Sequence, residues 1–167
     1  MDRAAISKEA AHRRRAGQTV VFTNGCFDIL HVGHVRYLQA ARREGDCLFV
    51  GVNSDRSVQE LKGPTRPLVS EDERAEILAA LSCVDGVCIF DERGSEELIR
   101  AIQPAIHVKG GDYQPDDLPE AAVVRSLGIT IRMMPLVPGR STSRLLQLMQ
   151  GTELEEACCI STGEGSE

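Results

Sequence analysis

The 167-residue chain is predicted to form one α/β domain, a doubly wound parallel sheet of five strands with helices on both faces. Three observations predict it. Short β-branched and apolar runs alternate with segments of helical period, the order that builds a parallel sheet by crossover connections. The runs are continuously apolar rather than alternating, as strands buried on both faces must be. Polar and glycine clusters follow three of them, where sheets of this kind place their ligands.

Taken in order, Met1 to Ala16 reads as a short polar helix stopped by Gly17. Its Arg13-Arg14-Arg15 run, with Asp2 and Glu9 upstream, reads as a solvated face rather than a targeting peptide. Gln18 to Thr23 is the first strand. From His31 to Glu44, Val35, Leu38 and Ala41 recur every three residues, a helix that Gly45 should end. Cys47 to Val52 is the second strand, with Asn53-Ser54-Asp55 at its carboxyl end. A helix carrying Val58 and Leu61 leads to the loop Lys62-Gly63-Pro64-Thr65-Arg66-Pro67. Ser70 and Glu73 have capping-box spacing, starting a helix through Ile77, Leu78 and Leu81. Gly86 to Phe90 is the third strand, and Ser95 to Ile102 a helix halted before Pro104. Ile106 to Val108 is the fourth strand, Leu118 to Leu127 a helix closed by Gly128, and Ile129 to Met133 the fifth strand. A last helix is expected from about Thr142 to Gln150, followed by Gly151. The expected organisation is a helical extension over 1–17, the α/β domain over 18–150 and a flexible acidic tail over 151–167.

Composition narrows the function. The net charge of −6 argues against a nucleic-acid partner. A 4% aromatic content without Trp argues against a base-stacking platform. No apolar run reaches the roughly 18 residues of a membrane span, and no signal-peptide core is present, so a cytoplasmic protein is expected. Of the six cysteines, Cys47, Cys83 and Cys88 lie in apolar runs and are expected to act as small hydrophobes. For the adjacent Cys158 and Cys159, a reactive or metal-binding role competes with no role at all, because their ligand context is sparse.

The chemistry concentrates in Thr23-Asn24-Gly25-Cys26-Phe27-Asp28-Ile29-Leu30-His31-Val32-Gly33-His34. A strand breaks at a glycine, and two imidazoles stand one turn apart where a helix should begin. A helix N-terminus offers unpaired N–H groups and partial positive charge, which attract phosphate. His31 and His34 add donors at the same place, and Gly33 allows close approach to the backbone. A zinc site would need a third ligand beside the pair, and none is placed there. Nucleotidyl transfer is the leading expectation.

Phe27-Asp28-Ile29-Leu30-His31-Val32-Gly33-His34 resembles the H-x-G-H motif of the cytidylyltransferase-like nucleotidyltransferases. That resemblance implies a Rossmann-like domain whose histidine pair contacts nucleotide phosphates. A second motif of that group, rich in Ser and Thr at a helix start, is matched by Arg140-Ser141-Thr142-Ser143. The group's basic residue shortly after this motif is replaced here by Leu146 and Gln147, with Arg140 or Arg144 as the nearest charges. Further matches at Val52-Asn53-Ser54-Asp55, Leu61-Lys62-Gly63, Arg66-Pro67 and Lys109-Gly110-Gly111-Asp112-Tyr113 are similar to heptose 1-phosphate adenylyltransferases. The sugar-kinase half of their bifunctional form has no counterpart here, so only the nucleotidyl step is expected.

The resemblance implies transfer of AMP from ATP, with Mg²⁺, to D-glycero-β-D-manno-heptose 1-phosphate. His31, His34 and Lys62 would be catalytic. Asn24, Gly25, Cys26, Phe27, Gly33, Lys109, Gly110, Asp112, Ser141, Thr142 and Ser143 would join the two histidines around ATP. Asp28, Asn53, Asp55 and Arg74 would meet the sugar phosphate. Local readings compete at several of these positions. Lys62 either closes over phosphates or is a solvated loop lysine. Arg74 either faces phosphate or makes a helix-surface ion pair. Asp28 either orders the histidine loop or binds sugar, and Asn53 and Asp55 act through substrate or through a helix cap. Asp112 either binds the ribose or adenine edge or forms a turn, and the Ser/Thr run is either a phosphate cradle or a plain cap. A homo-oligomer of two or more copies is expected from similar enzymes. The alternatives are a cytidylyltransferase acting on glycerol 3-phosphate and a nucleotide-sensing module without turnover.

Overall fold

The computed structural model describes residues 1–111 and 118–135. Along the chain these form α1 (Arg3–Arg15), β1 (Val20–Gly25), α2 (Val32–Arg42), β2 (Cys47–Asn53), α3 (Asp55–Lys62), α4 (Glu71–Ala79), β3 (Gly86–Phe90), α5 (Glu96–Ile102), β4 (Ile106–Gly110), α6 (Ala121–Ser126) and β5 (Thr130–Met134). The strands make one sheet in the order β3-β2-β1-β4-β5, with every pairing parallel. Val20 stands opposite Cys47 and Phe22 opposite His107.

Strand alternation sorts side chains onto two faces. Val20 and Phe22 of β1, Cys47 and Phe49 of β2, and Cys88 and Phe90 of β3 point to one side. They pack with Ile6 and Ala10 of α1, Leu98, Ile99 and Ile102 of α5, and Val123 and Val124 of α6. Val21, Leu48, Val50, Val52, Val87 and Val108 point to the other, against Leu38 and Ala41 of α2 and Leu78 of α4. The chain therefore winds both ways from β1, as predicted.

Several details differ from the sequence reading. The first helix is not simply solvated: Ile6 and Ala10 are fully buried in the core. Full burial of one Ile side chain contributes about 1.5–3 kcal/mol, enough to dock an otherwise polar helix. Helix α2 ends at Arg42, before Gly45. That glycine serves a close approach instead, since a Cβ there would lie 2.6 Å from the Thr19 carbonyl oxygen. Helix α3 extends through Lys62, and its cap is Ser54, whose hydroxyl accepts from Ser57 N–H at 3.2 Å. Helix α6 begins at Ala121 after a turn in which Ala121 N–H donates to Leu118 O at 2.9 Å. The Ser70–Glu73 capping box is present. Cys47 and Cys88 are buried, whereas Cys83 is half-buried. The expected 142–150 helix, the 151–167 tail, Cys158 and Cys159 lie outside the described residues.

Candidate active site

Because β2 and β4 flank β1 on opposite sides, the order in which the chain adds strands to the sheet reverses at β1, although all strands stay parallel. Ligand crevices form at such a switch, outside the carboxyl ends of the strands. Asn24 and Gly25 end β1, and Lys109 and Gly110 end β4. The Lys109 ammonium donates to Asn24 Oδ1 across the switch at 3.0 Å. One residue deeper, the Tyr37 hydroxyl donates to Val108 O at 3.0 Å and lies 2.7 Å from Thr23 Oγ1. Burial pushes the Tyr37 phenol pKa up, so it stays protonated and pins α2 to both strands.

His31 caps α2 and His34 sits in its first turn. The Gly33 N–H donates to His31 Nδ1 at 3.1 Å, and the His31 N–H donates to His34 Nδ1 at 3.4 Å. The two rings stack with centroids 3.9 Å apart. A nitrogen that accepts from N–H carries no proton, so each ring carries its proton on Nε2. Part of the helix terminus expected to meet phosphate directly thus acts through the imidazoles. Burial, then His31, then the Lys62 charge lowers the His34 pKa to about 4. At neutral pH His34 is a neutral donor, and exposed Lys62 at the end of α3 supplies the nearby cation.

Phe27 holds this pair in place. Its backbone is left-handed, with φ 47, and its buried ring meets His34 edge-on with centroids 5.5 Å apart. Gly25 makes room for that ring, because a Cβ there would lie 3.2 Å from it.

Asp28 is buried and organises the chain around the histidine loop. Its Oδ1 accepts from Leu68 N–H at 2.7 Å and Val69 N–H at 3.1 Å, and its Oδ2 pairs with Arg66. Arg74 lies where its partners are protein groups. Its side chain is fully buried and donates to Val69 O at 2.9 Å, to Cys26 O, and to Asp55 Oδ1 at 2.7 Å. Each of the three guanidinium nitrogens donates to a protein acceptor, so the buried side chain ties the Cys26 loop to α3 rather than forming a surface pair. Asp55 acts through Arg74 and also donates its N–H to Glu71 at 2.6 Å. Asn53 is buried and donates to Ser57 Oγ at 3.0 Å.

The structure therefore brings Asn24, Gly25, Cys26, Phe27, Asp28, His31, Gly33, His34, Lys109 and Gly110 to one side of the sheet. Asp112, Ser141, Thr142, Ser143, Arg140 and Arg144 lie outside the described residues. The sequence reading assigned no role to His107, Glu120, Arg66 or Tyr37. A usable signal existed for His107, since a polar residue inside the strand Ile106–Gly110 must find a buried partner.

The fold and site together define a doubly wound, Rossmann-like α/β domain with a stacked histidine pair capping the first switch-point helix. The comparisons agree: residues 22–152 match the cytidylyltransferase-like family, and the chain belongs to that family. It is 58% identical over 134 residues to the bifunctional protein HldE of Syntrophotalea carbinolica, covering 80% of this chain and 27% of that protein. It is 52% identical over 146 residues to HldE of Trichlorobacter lovleyi, covering 87% and 30%. The chain thus spans less than a third of the length of these curated relatives. A solved lipopolysaccharide core biosynthesis protein from Thermoplasma volcanium matches with a TM-score of 0.59 and 30% identity, over 72% of this chain and 98% of that one.

Proposed function

We propose that this chain transfers AMP from ATP to D-glycero-β-D-manno-heptose 1-phosphate, giving ADP-heptose and pyrophosphate. The observation that carries the reading is the stacked histidine pair on the α2 terminus, both protons on Nε2, with Lys62 in electrostatic reach of His34. The motif resemblance to heptose 1-phosphate adenylyltransferases and the similarity to HldE support the substrate. In the reaction, a phosphate oxygen of the sugar attacks the α-phosphorus of ATP in line. The new P–O bond forms as the bond to the β-phosphate oxygen breaks, and pyrophosphate leaves with that electron pair. The nucleophile is already anionic, so positioning and charge stabilisation dominate over base catalysis. His31 and His34 donate to phosphate oxygens, and Lys62 balances charge on the departing group.

Mg²⁺ enters with ATP in this reading. Among the described residues no group of three or more His, Cys, Asp or Glu side chains could hold a metal, so triphosphate oxygens would supply most ligands. Ser141, Thr142, Ser143 and Asp112 complete the proposed nucleotide site, within a catalytic unit spanning 18–150. No helix among the described residues is long and apolar enough to cross a membrane. We place the protein in the cytoplasm as a homo-oligomer.

The test is mass detection of ADP-heptose from purified protein, ATP, Mg²⁺ and the β-anomer, beside a panel of CTP and other small phosphates. ADP-heptose as the preferred product supports the proposal. A preference for CTP with glycerol 3-phosphate overturns the substrate, and ATP binding without any product overturns the activity.

A further inference from the structure

A carboxylate that the sequence reading left without a role sits behind the switch-point crevice. Glu120, in the turn before α6, is only 2% exposed. Its Oε1 lies 2.6 Å from Lys109 Nζ and 2.9 Å from His107 Nε2. The same ammonium donates to Asn24 Oδ1 at 3.0 Å. Four residues from β1, β4 and the turn before α6 thus form one continuous polar chain through the switch point.

Its direction follows from donor inventory. Burial lowers the His107 pKa even against the pull of Glu120, so the ring is neutral and donates its Nε2 proton. The ring also stacks on Phe22, with centroids 5.5 Å apart and planes 20° from parallel, which fixes its orientation. Burial alone would raise Glu120, but the His107 hydrogen bond and the Lys109 charge hold it at about 2, so it is ionised at any working pH. An ammonium can only donate. Asn24 must therefore turn its carbonyl toward Lys109, and its NH₂ group is what it has to offer a ligand.

We propose that Glu120 is a positioning residue for nucleotide binding: it anchors the Lys109 ammonium and, through it, fixes which face the Asn24 carboxamide presents at the crevice. This rests on reading that crevice as the nucleotide site. With the anchor removed, Lys109 is freed from its place and the Asn24 amide can flip, presenting an acceptor to phosphate or ribose oxygens. On this reading the chain of contacts serves ATP and not the sugar phosphate.

Glu120→Gln keeps size and one acceptor while removing the charge. In the full chain, its KM and calorimetric Kd for ATP should rise about tenfold, the weight of one charge-assisted hydrogen bond. The KM for the sugar phosphate should stay within about twofold, a change too small to represent a lost hydrogen bond. Glu120→Asp, which keeps the charge on a shorter arm, should fall between. In an Asn24→Ser background the effect of Glu120→Gln on ATP should largely vanish, because the group being oriented is gone. A purely structural ion pair would lower the melting temperature and leave the ATP constants of the folded enzyme unchanged, and that result overturns the proposal. If Glu120→Gln fails to fold, Glu120→Asp decides: an ATP KM equal to wild type refutes the assignment, and a raised one supports it. Wild-type protein that binds no ATP would instead overturn the nucleotide reading itself.

Discussion

Replacing Arg74 with Met separates a structural clamp from a substrate contact. The guanidinium is fully buried and serves Val69 O, Cys26 O and Asp55 Oδ1. Met matches much of its length but donates to none of these acceptors. Breaking a buried pair by removing one partner costs about 3–5 kcal/mol. The Asp55 side chain is 35% exposed, so water recovers part of its charge and the lower end applies, about 3 kcal/mol. For a chain of this size that is a drop in melting temperature of about 6–12 °C. Urea unfolding followed by circular dichroism gives the free energy, and steady-state kinetics at low temperature gives the constants of the folded fraction. The clamp reading expects the stability loss, a lower kcat from a loosened Cys26–Asp28 loop, and little change in KM for sugar phosphate. Arg74→Lys should fall between, since one ammonium cannot serve two carbonyls and a carboxylate in a fork. A stability change below about 1 kcal/mol, together with a raised sugar-phosphate KM, would refute the clamp and return Arg74 to the substrate.

His34→Ala should reduce kcat by about 10²–10³, the usual loss for one donor aimed at developing charge, with a stability loss of about 1 kcal/mol from the lost cap; an unchanged kcat removes His34 from the site. Stability should fall as pH drops from 6.5 toward 4. The folded pKa of His34 lies below its unfolded value, so the unfolded chain takes up the proton first and the loss levels off below about 4. His34→Gln should flatten part of that decline in urea midpoints measured across the range, and an identical slope would contradict the pKa assignment. Gly25→Ala should destabilise by about 1–3 kcal/mol through overpacking against Phe27, and kcat should fall because that ring abuts His34. Equal kcat and stability in Gly25→Ala would show that the ring can yield.

What was legible in the sequence was whatever local pattern encodes. The strands were found because burial on both faces leaves continuous apolar runs, and the Ser70 cap because its reciprocal bonds span three residues. The histidine pair was legible because strand, glycine and helix start fall within a dozen residues. Element ends were less so: Gly45 looked like a helix stop, whereas its small size serves a contact with Thr19, 26 positions upstream in the sequence. The roles of Arg74 and Asp28 were hidden for the same reason. Cys26 O is 48 residues from Arg74, and Leu68 N is 40 residues from Asp28. No periodicity reports a bond between two loops. Glu120 is closer to its partners, 13 residues from His107, but they lie on a strand across an intervening segment, and no local pattern reports that bond.

Charge placement around the crevice has a physical logic of its own. The cations deepest in the structure are already matched: Lys109 by Glu120, Arg66 by Asp28 and Arg74 by Asp55. Those pairs shape loops and orient neutral donors, and they add little net field. The groups proposed to meet phosphate are of another kind, two imidazoles whose Nδ1 atoms accept backbone N–H groups, His34 held neutral by burial, and one exposed lysine. Neutral Nε2 donors bind a triphosphate without holding pyrophosphate as tightly as fixed cations would. They can also gain charge as the leaving group develops its own, because an adjacent anion raises an imidazole pKa. On the proposed function, binding energy would thereby be directed toward the transition state rather than toward the product. On this argument, replacing His34 with Lys should tighten pyrophosphate inhibition while lowering kcat. Inhibition constants and turnover measured on the same preparation would check both, and unchanged pyrophosphate affinity would count against the neutral-donor account.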